Sequence, residues 1–245
     1  MLVIELANRT PGSDATAEVV RLHGLWDEAA QADTSPQADG AAYAGQAARP
    51  LQAPVATAGE SRLKILLLAN LEDFSERNDV EQAHMRQTLH GLLERVVVAS
   101  GVHREACHRL DRGDGVLELI DPVIPVARLL HSLLTVLPED LKLFNRRLPR
   151  VNWMRMCLVL ATGDVVMDKR GAVGSGLGEA SRTLDSAVVR AALRERIEDY
   201  ALCVSEPVYW GTVRQGHVGI PAADFHEFNV YTKSGTSQAW LHQPA

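Results

Sequence analysis

The pattern of hydrophobic and polar positions becomes regular from Leu63 onward. Leu63 to Ala69 is a near-continuous apolar run, which is typical of a β-strand covered on both faces. Between Val80 and Ser100 the apolar side chains recur at helical spacing, and Gly101 marks the end of that pattern. The pattern predicts a buried strand that leads into an amphipathic helix.

The next segments predict a β-hairpin and a second helix. The segments "REACHRL" and "GVLELI" read as two strands around the turn Asp111–Gly115, whose glycines favour a tight reversal. Residues 122–147 predict a long helix with a break near Pro138. Residues 153–168 predict two strands that meet near Thr162 and Gly163.

In the last third of the chain, predicted helices and strands continue to follow one another. It predicts a helix, then a strand that leads into a short helix, and finally a hairpin (178–197, 200–208 and 224–242). The complete order is β-α-β-β-α-β-β-α-β followed by the hairpin. This order predicts an α+β fold, with a ferredoxin-like core, additional strands, and helices packed on an antiparallel-leaning sheet.

The N-terminal region lacks this regularity. Gln31 to Ser61 is rich in Ala, Gly, Pro and Gln and has almost no large apolar residues, which predicts a disordered linker. Before it, residues 16–30 favour a short amphipathic helix, either a docking segment for a protein partner or a transient helix. Residues 1–62 are therefore interpreted as a mostly disordered tail, and residues 63–245 as the folded domain.

Composition and charge argue against several classes of function. The formal net charge is −6, whereas nucleic-acid binders need clustered Lys and Arg, so no nucleic-acid partner is expected. No apolar run reaches about 18 residues, so no membrane span is expected. The N-terminus lacks the basic start of a secretory signal. Cys107, Cys157 and Cys203 are odd in number and widely spaced, which predicts reduced thiols in a cytoplasmic protein.

Candidate chemistry begins where the first strand ends. In "ILLLANLEDFSERND" the first polar residues are Asn70 and Glu72, and the hairpin tip carries Asp114. In the predicted topology the first strand lies beside the hairpin, so these side chains could share one cation, and oxygen ligands of this kind suit Mg²⁺. Alternatively, an aspartate in a turn flanked by glycines serves only the turn.

A glycine-rich segment, Gly171 to Arg182, opens the third predicted helix. Its backbone amides could approach a phosphate, although the spacing is not that of the dinucleotide-binding fingerprint. The alternative is a flexible loop with a helix cap. Arg182 would contact a phosphate, or pair with Glu179 or Asp185.

Together these segments resemble the class III nucleotidyl (adenylate/guanylate) cyclase homology domains, in a divergent form. A strand-end "D-x-x-G-F-S", a hairpin "GDG" and a later helix with "G-x-x-V-N-x-A-x-R" mark that family. The corresponding segments here are "NLEDFS", "DRGDGVL", "LATGDVV" and "GSGLGEASR", which begin at Asn70, Asp111, Leu160 and Gly174. The resemblance covers residues 63–242 and implies the cyclase fold, a ferredoxin-like core extended by further strands.

The resemblance also implies a chemistry and an assembly. In that family two aspartates hold two metal ions, which activate the ribose 3′-hydroxyl and neutralise the triphosphate. The partner protomer supplies an asparagine that orients the ribose and an arginine that stabilises the transition state. The expectation is a head-to-tail homodimer with a nucleotide ligand, and Mg²⁺ or Mn²⁺ as cofactor if the chain is active.

Only some of the family's chemical positions carry the family's side chains. The hairpin aspartate matches Asp114, and the transition-state arginine matches Arg182. The first metal position holds Asn70, a neutral amide, and the ribose-orienting position holds Gly178. The base-selecting positions fall on Leu110 and Gly171, and the remaining nucleotide-binding positions on Phe74, Ser75 and Gly113.

Three functional hypotheses follow. The favoured one is a catalytically degenerate cyclase-like domain, which acts as a nucleotide-sensing, dimerisation or partner-binding regulatory module in signalling. The alternative is an active, divergent, metal-dependent nucleotidyl cyclase that converts an NTP into a 3′,5′-cyclic NMP and pyrophosphate, with Glu72 replacing the missing charge. The third keeps the fold alone, in a structural role.

Overall fold

The computed structural model describes residues 60–232 and 235–244. The predicted N-terminal helix and nearly all of the predicted tail lie outside these residues, so both stay predictions. The described chain forms, in order, β1 (Arg62–Leu71), α1 (Asp79–Ala99), β2 (Cys107–Asp111), β3 (Gly115–Ile120), α2 (Val126–Asn145), β4 (Met156–Asp168), β5 (Gly171–Val173), α3 (Ser175–Leu184), α4 (Ala187–Glu195), β6 (Tyr200–Ser205), α5 (Glu206–Gly211), β7 (Phe225–Thr232) and β8 (Gly235–His242).

The strands of the described residues form one mixed sheet. Its order is β2-β3-β1-β4-β6-β8-β7, and β5 pairs with the far end of β4. Every neighbouring pair is antiparallel except β4 and β6, which run parallel. β1 therefore lies inside the sheet, between the hairpin strand β3 and β4. The predicted α+β class with an antiparallel-leaning sheet is confirmed.

Helices cover both faces of this sheet. On one face α1 and α2 pack over Ile65 and Leu67 of β1. On the other face α3 and α4 pack over Leu66 and Leu68. All four of these β1 side chains are fully buried, which explains the continuous apolar run in this strand. The sandwich fixes the end of β1 as a rigid base for the residues that follow it.

The predicted break at Pro138 is wrong, because α2 runs through this residue without interruption. A proline inside a helix costs about 3 kcal/mol, since it removes a hydrogen bond and crowds the preceding turn. Leu133, Leu137 and Leu141 form a stripe around it that is almost completely buried. Burial of that stripe offsets the local cost, so tertiary packing decides the outcome.

The predicted pair of strands in residues 153–168 is also wrong, because Met156–Asp168 is a single 13-residue strand. Thr162 and Gly163 lie opposite Ile65 and Lys64 within the ladder that β4 forms with β1. Gly163 serves helix packing instead of a turn. A Cβ atom there would lie 3.1 Å from the Cα of Gly176 in α3, so glycine lets the helix approach the sheet closely.

The single helix predicted over 178–197 is divided in two. α3 begins at Ser175 and ends at Leu184, and α4 begins at Ala187. Ser186 caps α4, since its Oγ accepts a hydrogen bond from the backbone N–H of Val189 at 3.3 Å. The break turns the chain so that both helices lie on the same face of the sheet.

Candidate functional site

The end of β1 lies directly beside the tip of the β2–β3 hairpin. Asn70 pairs with Gly115 in the sheet. The backbone N–H of the next residue, Leu71, donates to the carbonyl of Asp114 at 2.9 Å. The two elements that carry the predicted metal positions are therefore adjacent, with Asn70 half-buried and the Asp114 side chain exposed.

Asn70 holds a buried polar atom that has no partner. Its Oδ1 is shielded from solvent and accepts no hydrogen bond from the described residues. Gly115 provides the space for this amide, since a Cβ atom at that position would lie 2.9 Å from the Oδ1 and 2.3 Å from the carbonyl oxygen of Ala69. An unsatisfied buried oxygen is costly and is a common feature of functional sites.

Glu72 is tied into an ion-pair network. β1 ends at Leu71, so Glu72 does not continue the strand. Its carboxylate accepts from the Arg155 guanidinium at 2.8 Å and lies 3.8 Å from Nε of Arg194. The Glu72 side chain is only 15% exposed, and its backbone N–H donates to the Arg155 carbonyl at 2.9 Å. Two guanidinium groups therefore neutralise this carboxylate.

Asp73 is a further acidic residue that the sequence reading did not single out. Its backbone is left-handed, with φ 54° and ψ 25°, at the start of the short 3₁₀ turn Phe74–Glu76. In the "D-x-x-G-F-S" pattern this position is a glycine, which adopts that conformation freely. Aspartate tolerates it at some cost. The mismatch between "NLEDFS" and that pattern is the signal that could have found it.

These residues line an acidic cavity of about 250 Å³, enclosed by residues 70–76, the hairpin tip and α4. Its carboxylates are those of Glu72, Asp73, Glu76, Asp114 and Asp185. Arg190 and Arg194 of α4 form the opposite wall, and Phe74 and Ser75 contribute to the rim. The sequence reading did not place α4 at this site, because the contact joins segments that are far apart in the chain.

Cys157 lies in the wall of the acidic cavity. Burial raises the pKa of this thiol to about 12, and the nearby Glu72 carboxylate acts in the same direction. Burial likewise raises the pKa of the Cys107 thiol to about 12. Both side chains are therefore neutral thiols at physiological pH and poor nucleophiles. All three cysteines are free, which agrees with the prediction of reduced, packed thiols.

The donor set does not fit the two-ion site that the resemblance implies. Asn70 supplies an amide oxygen without charge, and Glu72 is already paired with arginine. Asp114 remains as one exposed carboxylate beside Asn70. Among residues 60–232 and 235–244 there is no cluster of three or more His, Cys, Asp or Glu side chains arranged to hold a metal ion. One weakly held cation is the most that Asn70 and Asp114 could bind.

The two predicted base-selecting positions and the predicted ribose-orienting position meet in a different cavity. Leu110, Gly171 and Gly178 all line a glycine-lined cavity of about 540 Å³, between the hairpin and the start of α3. Leu117 and Leu177 give it an apolar wall. Arg112 and Arg170 stand at its edge, and the sequence reading assigned neither of them to a site. The cavity could hold a flat apolar group, but at Leu110 and Gly171 no polar side chain reads its edge.

A hydrogen bond between the hairpin and α3 separates the two cavities. Nη1 of Arg112 donates to Oγ of Ser181 at 3.1 Å. An intermediate cavity of about 230 Å³ shares these two residues with the glycine-lined cavity, and shares Asn70 and Asp114 with the acidic cavity. The cleft therefore continues along the surface, past the Arg112–Ser181 contact.

Arg182 lies apart from the acidic cavity. It occupies the last turn of α3 and is exposed to solvent. Its guanidinium lies over Gly178, where a Cβ atom would be 3.2 Å from Nη1. Within the described part of the chain it pairs with neither Glu179 nor Asp185, so that alternative prediction is wrong. The guanidinium is free to contact a group outside this protomer.

Comparison with solved structures assigns the fold. The guanylyl cyclase Cya2 superposes with a TM-score of 0.54 and 16% identity, over 76% of this chain and 93% of that one. An adenylate/guanylate cyclase/hydrolase from Silicibacter pomeroyi gives 0.53 and 20% identity, over 76% and 99% of the two chains. A bacterial light-regulated adenylyl cyclase gives 0.51 and 14%, over 75% and 91%. The chain has the fold of class III nucleotidyl cyclase domains.

Sequence comparison adds no closer relative. No protein-family model matches the chain, and no curated protein matches it significantly.

In the described part of the chain, none of the helices combines the length and the apolar character needed to cross a bilayer.

Proposed function

We propose that this chain is a catalytically degenerate cyclase-homology domain that acts as a nucleotide-sensing, dimerisation or partner-binding regulatory module. The observation that carries the proposal is the state of the first metal position. Asn70 offers a neutral oxygen there, and Glu72, the nearest replacement, is held by Arg155 and Arg194. The replacement carboxylate that could supply the charge for a two-metal mechanism at this position, that of Glu72, is therefore already engaged in ion pairs.

The missing charge has a large expected effect on catalysis. A charge-assisted contact that acts in the transition state is worth about 2–4 kcal/mol, or roughly 30- to 1000-fold in rate. Gly178 in the ribose-orienting position removes a second contact, because glycine has no side chain to offer. The two losses act on the same step, so residual turnover would be very low.

Nucleotide binding does not need these two contacts. Asp114 and Arg182 retain the family's side chains, and the glycine-lined cavity has an apolar wall on which a base could lie. Backbone amides at the start of α3 could approach a phosphate. Binding without turnover is what a sensor requires.

The position of Arg182 supports a dimer as the functional unit. In one protomer this guanidinium lies outside the cavity that holds Asn70 and Asp114. The resemblance assigns the equivalent arginine to the site of the partner protomer. We therefore propose a head-to-tail homodimer, in which Arg182 of one protomer faces the acidic cavity of the other. The N-terminal tail is proposed as the connection to a protein partner.

The decisive experiment is a turnover and binding assay on the full chain. The purified protein is incubated with each of the four NTPs and Mg²⁺ or Mn²⁺, and cyclic product and pyrophosphate are measured. We expect no product, together with a saturable rise in the melting temperature with at least one nucleotide, since a ligand that binds only the folded state stabilises it. Metal-dependent turnover that is lost in Asp114→Ala would overturn the proposal.

A second candidate function is an active, divergent nucleotidyl cyclase that uses Glu72 and Asp114. The observation in its favour is the number of carboxylates in the acidic cavity, where Asp73 and Asp114 are not paired with arginine in the described structure. The same assay separates the candidates, because turnover sensitive to Asp114→Ala is expected only of the active enzyme. Unchanged melting temperatures with all nucleotides would instead favour a purely structural module.

A further inference from the structure

A cavity on the α1–α2 face of the sheet lies outside the candidate site. It measures about 290 Å³, opens to solvent, and is bordered by the end of α1, the first turns of α2 and the segment 217–220. Its polar lining consists of Arg128, His131, Ser132 and His217, and the rest of its wall is apolar. It shares no lining residue with the acidic, intermediate or glycine-lined cavities.

The charge of this cavity is one-sided. Among the described residues, its lining contains a guanidinium, two imidazoles and a hydroxyl, but no carboxylate. Among the described residues the Arg128 side chain forms no ion pair. The whole chain is acidic, with a formal net charge of −6, so this cationic cavity stands against the overall balance. Cationic groups left without counter-charges attract an anion from solution.

Two glycines lie close to the basic side chains of this cavity. A Cβ atom at Gly101 would lie 2.7 Å from Nη2 of Arg128, and one at Gly219 would lie 2.7 Å from Cδ2 of His131. Both glycines have positive φ, 78° and 79°, which other residues rarely adopt. Each side chain thus lies directly against backbone, and less of its freedom remains to be lost when a ligand binds.

The third wall is a tight turn. The backbone N–H of Ile220 donates to the carbonyl of His217 at 3.1 Å, which closes the turn 217–220. Gly219 occupies the position at which a type II turn requires positive φ. The turn fixes His217 opposite the first turns of α2. Ser132, on α2, is only 4% exposed and lies in the cavity wall.

We propose that this cavity binds a phosphate monoester. The phosphate group suits Arg128, which can donate two parallel hydrogen bonds to its oxygens, with His131, His217 and the Ser132 hydroxyl as further donors. The apolar remainder of the wall, which includes Ala127 and Ile220, receives the organic part of the ester.

The test uses the full chain with two probes, inorganic phosphate and phenyl phosphate, at constant ionic strength in chloride. Calorimetry and thermal melting are expected to show saturable binding of both, with phenyl phosphate at least about threefold tighter because it also fills the apolar wall. Arg128→Gln should weaken both by about tenfold or more, as expected for loss of a charge-assisted contact.

Two matched variants control for charge and for location. Arg147→Gln removes the same charge from an exposed arginine just after α2 and should leave both affinities unchanged. Arg182→Gln reports on the proposed nucleotide site instead, so loss of probe binding in that variant, with no loss in Arg128→Gln, would place the probes there. Saturable binding weakened equally by Arg147→Gln, or abolished by Arg182→Gln and not by Arg128→Gln, would overturn the proposal.

A purely structural role for Arg128 predicts a different result. Its guanidinium lies at Gly101, just beyond the C-terminal end of α1, where a cation stabilises a helix. In that case Arg128→Gln would lower the melting temperature and neither probe would bind to the unmodified chain, which also overturns the proposal. His217→Gln, in the exposed turn, keeps the test decisive if Arg128→Gln fails to fold: it should weaken phenyl phosphate several-fold, and an unchanged affinity contradicts the site.

Discussion

The acidic cavity and the glycine-lined cavity lie on either side of the Arg112–Ser181 contact, yet their linings differ in kind. The acidic cavity is crowded with charge, and part of that charge is committed to ion pairs with Arg155 and Arg194. The glycine-lined cavity is larger and mostly apolar, and the two positions predicted to select the base carry a leucine and a glycine. In the acidic cavity a neutral amide and a paired carboxylate stand where the expected chemistry needs free charge, and in the glycine-lined cavity polar side chains are absent from the two positions predicted to select the base.

The difference separates shape from chemistry. Both cavities exist because the sheet, the hairpin and α3 hold their positions through buried packing and backbone hydrogen bonds. Part of each lining comes from exposed loop residues, such as Asp73, Asp114 and Arg170, which the packing restricts less. A domain can therefore keep the cleft of an enzyme while its reactive groups are replaced, and each lining has to be tested separately.

The largest expected effect comes from adding a Cβ atom at Gly115, where β3 lies against β1. In Gly115→Ala the new Cβ would meet the Ala69 carbonyl oxygen at 2.3 Å and Oδ1 of Asn70 at 2.9 Å. We expect a loss of about 3 kcal/mol in the free energy of unfolding, because backbone atoms must shift. Chemical denaturation measures it. Gly113→Ala, which meets open space and has only an unfavourable φ of 85°, should cost about 1–2 kcal/mol; equal losses would contradict the close approach at Gly115.

The ion pairs of the acidic cavity are the next target. Arg155→Met leaves Glu72 without its shortest ion pair and also removes the 3.9 Å contact to Asp199. Both carboxylates are 15% exposed, so we expect a loss of about 2 kcal/mol, below the value for a fully buried pair because Arg155 keeps 25% exposure. Urea unfolding measures it. As a control, Arg62→Met breaks an exposed pair with Glu60 and should cost less than about 0.5 kcal/mol. A similarly small loss for Arg155→Met would show that Glu72 is not held by its ion pairs.

Restoring the missing carboxylate should sharpen the contrast between the cavities. In Asn70→Asp a second carboxylate stands beside Asp114, so the affinity for Mn²⁺ should rise about tenfold, the effect of one charge-assisted contact. Thermal melting against Mn²⁺ concentration measures this. Asn229→Asp adds the same charge on the exposed face of β7 and should not respond to Mn²⁺. Equal responses of the two variants would exclude a cation position at Asn70.

The smallest expected effect concerns Asp111, in the hairpin wall of the glycine-lined cavity. Burial opposes its ionisation, but hydrogen bonds from Arg86 and from the Gly113 N–H outweigh burial and lower its pKa below the ordinary 3.8. Since the folded-state pKa is the lower one, the stabilisation is present above pH 3.8 and is lost as the pH falls through the lowered value. Asp111→Asn should therefore cost under about 1 kcal/mol at pH 7 and less near pH 2. Urea unfolding at both pH values checks this, and a difference independent of pH would contradict it.

The sequence predicted the fold wherever local pattern and burial agree. The apolar run of β1 is buried on both faces, and the glycines between Asp111 and Gly115 form the hairpin turn, so both elements were foreseen. The errors at Pro138 and Thr162–Gly163 occur where distant packing overrides local preference. The buried leucine stripe of α2 offsets the cost of Pro138. The close approach of α3 explains the glycine at position 163.

The candidate site was predictable to a similar extent. The proximity of Asn70 and Asp114 follows from the split β-α-β topology, which the order of the predicted elements indicates and which places the first strand beside the hairpin. The pairing of Glu72 with Arg155 joins residues 83 positions apart, and no local pattern indicates such a partner. The sequence did contain a signal at Asp73, because the family pattern has a glycine at this position. The meaning of that signal depends on the left-handed backbone conformation, which only the structure shows.

The contact between Gly163 and Gly176 has a consequence for how far this cleft can diverge. Where α3 meets β4, backbone lies against backbone, and a Cβ atom on either residue would stand 3.1 Å from the Cα of the other. The distance between helix and sheet at that point is set by the main-chain atoms of these two glycines and not by the side chains that line the cleft. The side chains around the cleft can then be exchanged without moving its walls, so the architecture allows new ligands to be acquired through substitution of the lining alone.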